Sequence, residues 1–161
     1  MLRSLATAAL AAAALGLTAA TPAASAPVPA KDETKVLDWL AVKQSDTKPF
    51  GPLLRPGADW TVFAHLHEND KGKPGKKIGD ATAQCTAIKV DRKGYVTQCQ
   101  RVLRTDKGSI TLTDIIDRYG RGPHGGDSAI TGGSGEYGDA EGKAEVVLHG
   151  HHAFFKLTLE D

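Results

Sequence analysis

A chain of 161 residues, 40% apolar and 24% charged, is long enough for one ordinary globular domain. Its 20 Lys and Arg stand against 19 Asp and Glu, a formal net charge of +1. That balance supplies no electrostatic reason for a nucleic-acid partner or an anionic membrane surface.

Residues 1–30 read as a secretory signal peptide rather than as part of the fold. Arg3 provides the positive start, Leu5 to Ala20 (LATAALAAAALGLTAA) an uncharged apolar run, and TPAASAPVPA a small-residue tail for cleavage. A transmembrane anchor needs about 20 strongly apolar residues, and this run is shorter and mostly Ala. No Cys lies at the cleavage region, which argues against a lipid anchor. Losing Arg3 leaves the secreted chain with balanced charge.

Residues 31–59 are expected to be an N-terminal extension or linker before a domain at 60–161. Val36 to Val42 (VLDWLAV) fits a short helix or a strand equally well, and Pro49, Pro52 and Pro56 break the stretch after it into a loop packed on the domain. From Trp60 the pattern is β. WTVFAHLH alternates and is rich in aromatic and branched residues. ENDKGKPGKKIGD is a charged, Gly/Pro-punctuated connection. Strands follow at Ala81 to Val90, Tyr95 to Arg104, Ile110 to Asp117, Ser128 to Thr131, Lys143 to His149 and His152 to Leu159.

Cys85 and Cys99 flank the turn VDRKG symmetrically, so they oppose each other across a hairpin on one face of the sheet. In an oxidising compartment the pair is expected to form a structural disulfide, worth about 3 kcal/mol for a loop of this size. Two buried free thiols are the alternative.

Strands joined by short loops form an antiparallel meander, and closure removes its exposed edges. The expected fold is therefore all-β, a small closed antiparallel barrel of about eight strands whose lumen holds one small ligand, with a β-sandwich as competitor. Strand polarity does not choose the inner face: Trp60, Val62, Ala64 and Leu66 line one side, and Phe63, His65 and His67 the other.

Between Gly132 and Gly142 the chain is dense in glycine (Gly132, Gly133, Gly135, Gly138, Gly142), a sharply folded corner with structural turn positions at Gly132, Gly133 and Gly135. It lacks the Gly-Lys-Ser/Thr ending and following helix of a phosphate loop. Thr131-Gly132-Gly133-Ser134-Gly135-Glu136-Tyr137 resembles the Thr-Gly-Gly-Ser-Gly-x-aromatic corner of plant allene oxide cyclases, and the Gly-Gly-Thr-Gly corner of dirigent proteins. Lys77 to Ile88 is similar to the cyclases' Arg-Ile-Gly…Cys strand, with Cys85 at the Cys. His65 to Pro74 is similar to their Glu-Ile-Asn-Glu-Arg-Asp-Arg-Gly-Ser-Pro. The resemblance runs from about Thr61 to the C-terminus.

This resemblance implies an eight-stranded barrel, commonly a homotrimer, with a largely apolar lumen and no metal or organic cofactor. It places His65, His67 and Pro74 at the family's pocket positions, with Phe63 beside them as a ligand-binding residue. The chain departs from the cyclases there: their Glu and Asn are both His. Imidazoles in an apolar lumen polarise a carbonyl or move a proton, which makes His65 and His67 the candidate catalytic pair. The bland reading is two polar lumen residues. A His-x-His pair without a third ligand is too few for zinc. Asp114, Asp117 and Asp127 are candidate carboxylates at the rim, against the plainer reading of turn-forming or solvated residues. The expected function is a secreted protein holding an apolar small molecule, with cofactor-free cyclisation or isomerisation as its chemistry. The alternatives are a non-catalytic carrier of a lipophilic compound and an interaction barrel with a filled lumen.

Overall fold

The computed structural model describes residues 34–160, so the expected signal peptide lies outside the described residues. Eight strands form one closed antiparallel barrel in chain order: β1 (Lys35–Asp46), β2 (Asp59–Asp70), β3 (Lys73–Val90), β4 (Gly94–Thr105), β5 (Gly108–Tyr119), β6 (His124–Gly135), β7 (Glu141–His149) and β8 (His152–Glu160). Each strand pairs with its sequence neighbours, and β1 closes the ring by pairing with both β2 and β8. Closure leaves no unpaired sheet edge, which removes the sandwich alternative.

The first strand lies in the segment expected to be an extension or linker, so the barrel begins at Lys35 and not at Trp60. VLDWLAV is a strand because the barrel supplies partners on both sides: Trp39 registers with Glu68 on β2 and Phe155 on β8. The proline-broken stretch after β1 is a loop with one 3-10 turn, Gly51–Leu53, and it packs onto the barrel. Leu54 rests against the cluster of Trp60, Ala83, Cys85, Ala87 and Cys99, and the backbones of Gly57 and Ala58 hydrogen-bond to Ala87.

The connection expected after β2 is shorter than its composition implied. β2 and β3 run on to a two-residue turn, Lys71-Gly72, both at positive φ (52° and 86°), the backbone of a hairpin that keeps the strand twist.

Alternation along each strand decides which face is inside. Ala64, Leu66, Ala81, Leu103, Ile110 and Leu157 belong to one buried cluster contributed from around the ring. The inner face of β2 is therefore the Trp60–Val62–Ala64–Leu66 stripe.

The two halves of the lumen are filled differently. At the end carrying the β6–β7 corner, Trp39, Leu66, Leu103, Ile110, Tyr137 and Leu159 pack solidly. Tyr137 is folded inward by the Gly-rich corner and stands edge-on to Trp39. The corner requires glycine at 133, because a Cβ there would overlap the Tyr137 carbonyl oxygen. Toward the opposite end the inner positions are small: Ala41, Ala64, Ala81, Ala83 and Ala153.

Candidate functional site

Small side chains at mid-barrel leave a recess of about 220 Å³ that opens at the end away from the Gly corner. Its wall is Trp60, Val62, Cys85 and Leu148, and its mouth carries Lys43, Lys48, His151 and His152. A smaller void of about 30 Å³ lies among Ala41, Ala64, Ala81, Ala83 and Phe155, and both spaces touch Arg101.

The inner surface there is not uniformly apolar. Arg101 on β4 and Asp114 on β5 are buried, at 5% and 3% exposure, and form a two-pronged ion pair. Arg101 donates from Nε to Asp114 Oδ2 at 2.5 Å and from Nη2 to Oδ1 at 3.1 Å. Ser128 Oγ, also buried, donates to Oδ2 at 2.9 Å. Such a planar bidentate pair fixes both side chains, and the serine satisfies a further lone pair of the carboxylate. Beside them Thr97 donates to the Ile116 carbonyl at 3.2 Å.

Arg118, two turns of the pleat from Asp114 on β5, faces the same recess. Its Nε is buried and has no hydrogen-bond partner among the described residues. Burial lowers its pKa, with the neighbouring Arg101 charge acting in the same direction and Tyr95 and Asp114 opposing. An arginine nevertheless stays protonated. Tyr95 stands between charges: Lys48 Nζ donates to its hydroxyl at 2.6 Å and lies 4.5 Å from its ring centre, and Arg118 Cζ lies 5.8 Å from that centre. The ring meets Trp60 edge-on at 6.4 Å. At the mouth Lys43 and Asp46 form an ion pair at 2.5 Å, and this hydrogen bond holds the Asp46 carboxyl below its usual range.

Cys85 and Cys99 are directly opposed in register and joined by a disulfide, with Cα atoms 4.1 Å apart. Both point into the lumen and are buried. The expected pairing is thus present, and Cys85 contributes a disulfide sulfur, not a thiol, to the recess.

His65, His67, Phe63 and Pro74 are not on that surface. Because Ala64 and Leu66 point inward, the residues alternating with them point out. His65 Nδ1 lies 3.5 Å from Asp80 Oδ1, in an external cluster that includes Lys77 and Arg104. The Nδ1 of His67 is 3.0 Å from the Gly75 carbonyl oxygen. On the same outer side Leu40, fully buried, registers with His67 and Phe154. Phe63 is 37% exposed, and Pro74 sits on the exposed β2–β3 hairpin. The lumen positions expected for these residues belong instead to Trp60, Val62 and Ala64. Gly132, Gly133 and Gly135 shape the corner that plugs the opposite end. Of the three candidate carboxylates only Asp114 is inside; Asp117 and Asp127 are exposed. Arg101 and Arg118 escaped sequence reading, although Arg101 lies two residues beyond inward-facing Cys99 and so shares its face.

A larger depression of about 460 Å³ lies outside the Gly corner among Lys35, Glu136, Tyr137 and Asp139, and no unpartnered buried polar atom faces it. The lumen recess is lined by Arg118, whose Nε is such an atom, which makes it the candidate site. Among the described residues no three His, Cys, Asp or Glu side chains are grouped to hold a metal ion. Nor is any described helix long and apolar enough to cross a membrane.

The closed eight-stranded meander is a fold found in other solved barrels. Among solved structures it is similar to a pyocyanin demethylase, with a TM-score of 0.62 and 21% identity over 78% of this chain and 99% of that one. It is also similar to the pterocarpan synthase dirigent protein GePTS1, with a TM-score of 0.61 and 13% identity over 88% and 98%. At these identities the likeness is one of fold. No family model matches the chain, and no curated protein matches it.

Proposed function

We propose that this chain is an extracellular barrel protein that holds one small molecule in the open half of its lumen. The observation that carries the reading is the recess itself: an opening of about 220 Å³ bounded by Trp60, Val62, Cys85 and Leu148, above a buried Arg101–Asp114 pair. A lumen built only to fold would place large side chains at Ala41, Ala64, Ala83 and Ala153, as it does at the other end. The volume is below the usual range for drug-sized ligands, so the occupant is compact. The disulfide supports an oxidising compartment, in keeping with the signal-like N-terminus.

Cofactor-free cyclisation or isomerisation is a second reading, supported by the name of one structural neighbour, a pterocarpan synthase; the other, a demethylase, is named for a different reaction. A barrel of this kind accelerates a unimolecular step by fixing one reactive conformer and excluding water.

Native mass spectrometry of the full chain recovered from its own host tests the binding reading. A small-molecule adduct that is lost on denaturation supports it and identifies the compound whose precursors should be assayed for turnover. A bare mass, with no adduct at any collision energy, counts against it.

A further inference from the structure

The charges around the recess do not cancel. Lys43 is paired with Asp46, and Arg101 with Asp114. That leaves Lys48 and Arg118, which form no salt bridge with a carboxylate among the described residues and both lie against the Tyr95 ring. His151 and His152 at the mouth add no negative charge. The Nε of Arg118 is sealed from solvent and has no hydrogen-bond partner among the described residues, and the guanidinium's contact with Tyr95 brings no negative charge. A buried charged donor without an acceptor is costly to keep. Its persistence in a recess walled by Trp60 and Val62 is accounted for if the countercharge arrives with the ligand.

We propose that the recess recognises a compact ligand with an apolar body and one anionic oxygen group, a carboxylate or a phenolate. The Arg118 guanidinium is its principal donor, Lys48 supplies the second positive charge, and the apolar body lies against Trp60 and Val62. This deepens the binding reading above and rests on it. Low dielectric around a half-buried guanidinium strengthens the attraction, and the planar fork suits a carboxylate better than an ammonium does.

The test uses two probes of one shape, 2-naphthoate and 2-naphthamide, titrated calorimetrically into the full disulfide-bonded chain. The carboxylate is expected to bind at least about tenfold tighter than the amide, the scale of one charged hydrogen bond. Arg118→Gln should erase that preference while leaving amide affinity in place, and Arg118→Lys should restore part of it. If Arg118→Gln does not fold, Lys48→Gln is read instead and should reduce the preference. Equal affinity for the two probes in the unsubstituted protein overturns the anion proposal and leaves small-molecule binding standing. An undiminished preference in folded Arg118→Gln overturns the role of Arg118. Absence of binding by either probe overturns both readings.

Discussion

Tyr137 meets Trp39 edge-on inside the barrel, with ring centres 6.1 Å apart and planes at 78°. The contact joins the Gly corner to β1 and stoppers one end of the lumen. Truncating it should open a cavity among Leu66, Leu103 and Leu159. Tyr137→Ala is expected to lose about 3–5 kcal/mol in urea unfolding, the usual range for a large buried aromatic. Tyr137→Phe should change stability by less than about 0.5 kcal/mol, because the hydroxyl makes no hydrogen bond among the described residues. A Tyr137→Ala variant as stable as the parent would show that the corner does not hold the end closed.

The Arg101–Asp114 pair makes a sharper prediction, because removing one partner differs from removing both. Asp114→Asn leaves a buried guanidinium without its countercharge and should cost about 3–5 kcal/mol. Replacing both, Arg101→Met with Asp114→Leu, should recover most of that loss, since the pair's own desolvation is then avoided. Chemical denaturation of the two variants separates these outcomes. Equal losses would mean that packing volume, not charge, dominates at these positions.

Joining β3 to β4 at Cys85 and Cys99 closes a 14-residue separation. The double variant Cys85→Ser, Cys99→Ser should be less stable by about 3 kcal/mol. Both sulfurs are buried, so thiol reagents should label the native protein only after denaturant is added. Intact-mass analysis after alkylation reads this directly.

Acid should weaken the protein through two solvent-accessible pairs, Lys43–Asp46 at the mouth of the recess and Arg104–Asp80 on the outer wall. The carboxyl of Asp46 is lowered chiefly by its hydrogen bond from Lys43, and that of Asp80 by its hydrogen bond from Arg104. A carboxyl with a lowered folded-state pKa contributes stability above its ordinary value of 3.8, and loses that contribution as pH falls toward the lowered value. Both groups are near the surface, so solvent screening keeps the Asp46 contribution below about 1 kcal/mol. Thermal melts between pH 6 and pH 2 should slope downward below about pH 4. Asp46→Asn should make that slope shallower; an unchanged slope would remove the pair from the account.

The barrel was readable where pattern is local. Alternation in Trp60 to Leu66 announces a strand, and the symmetric spacing of Cys85 and Cys99 about one turn announces their pairing. Which face of β2 turns inward was not readable, because Phe63 and the two histidines are as bulky as Trp60 and Leu66. That choice is made by Leu103, Ile110 and Leu157, far away in sequence, which meet Leu66 only after closure. The first strand was obscure for the same reason: VLDWLAV gains its hydrogen bonds from β8, more than 100 residues downstream. The site is hidden furthest. Arg101 and Asp114 are 13 residues apart on different strands, and only the register that opposes Cys99 to Asp114 brings them together.

Because Tyr137 and its neighbours close one end, the lumen is a blind well and not a conduit. Whatever enters past Lys43, Lys48 and His152 must leave by the same door, so loading and unloading cannot proceed at once. The β1–β2 loop carries Lys48 and lies along that door, tied to β3 at Ala87. An occupant of the recess would therefore pass the side chains of residues 47–58 both on entry and on exit.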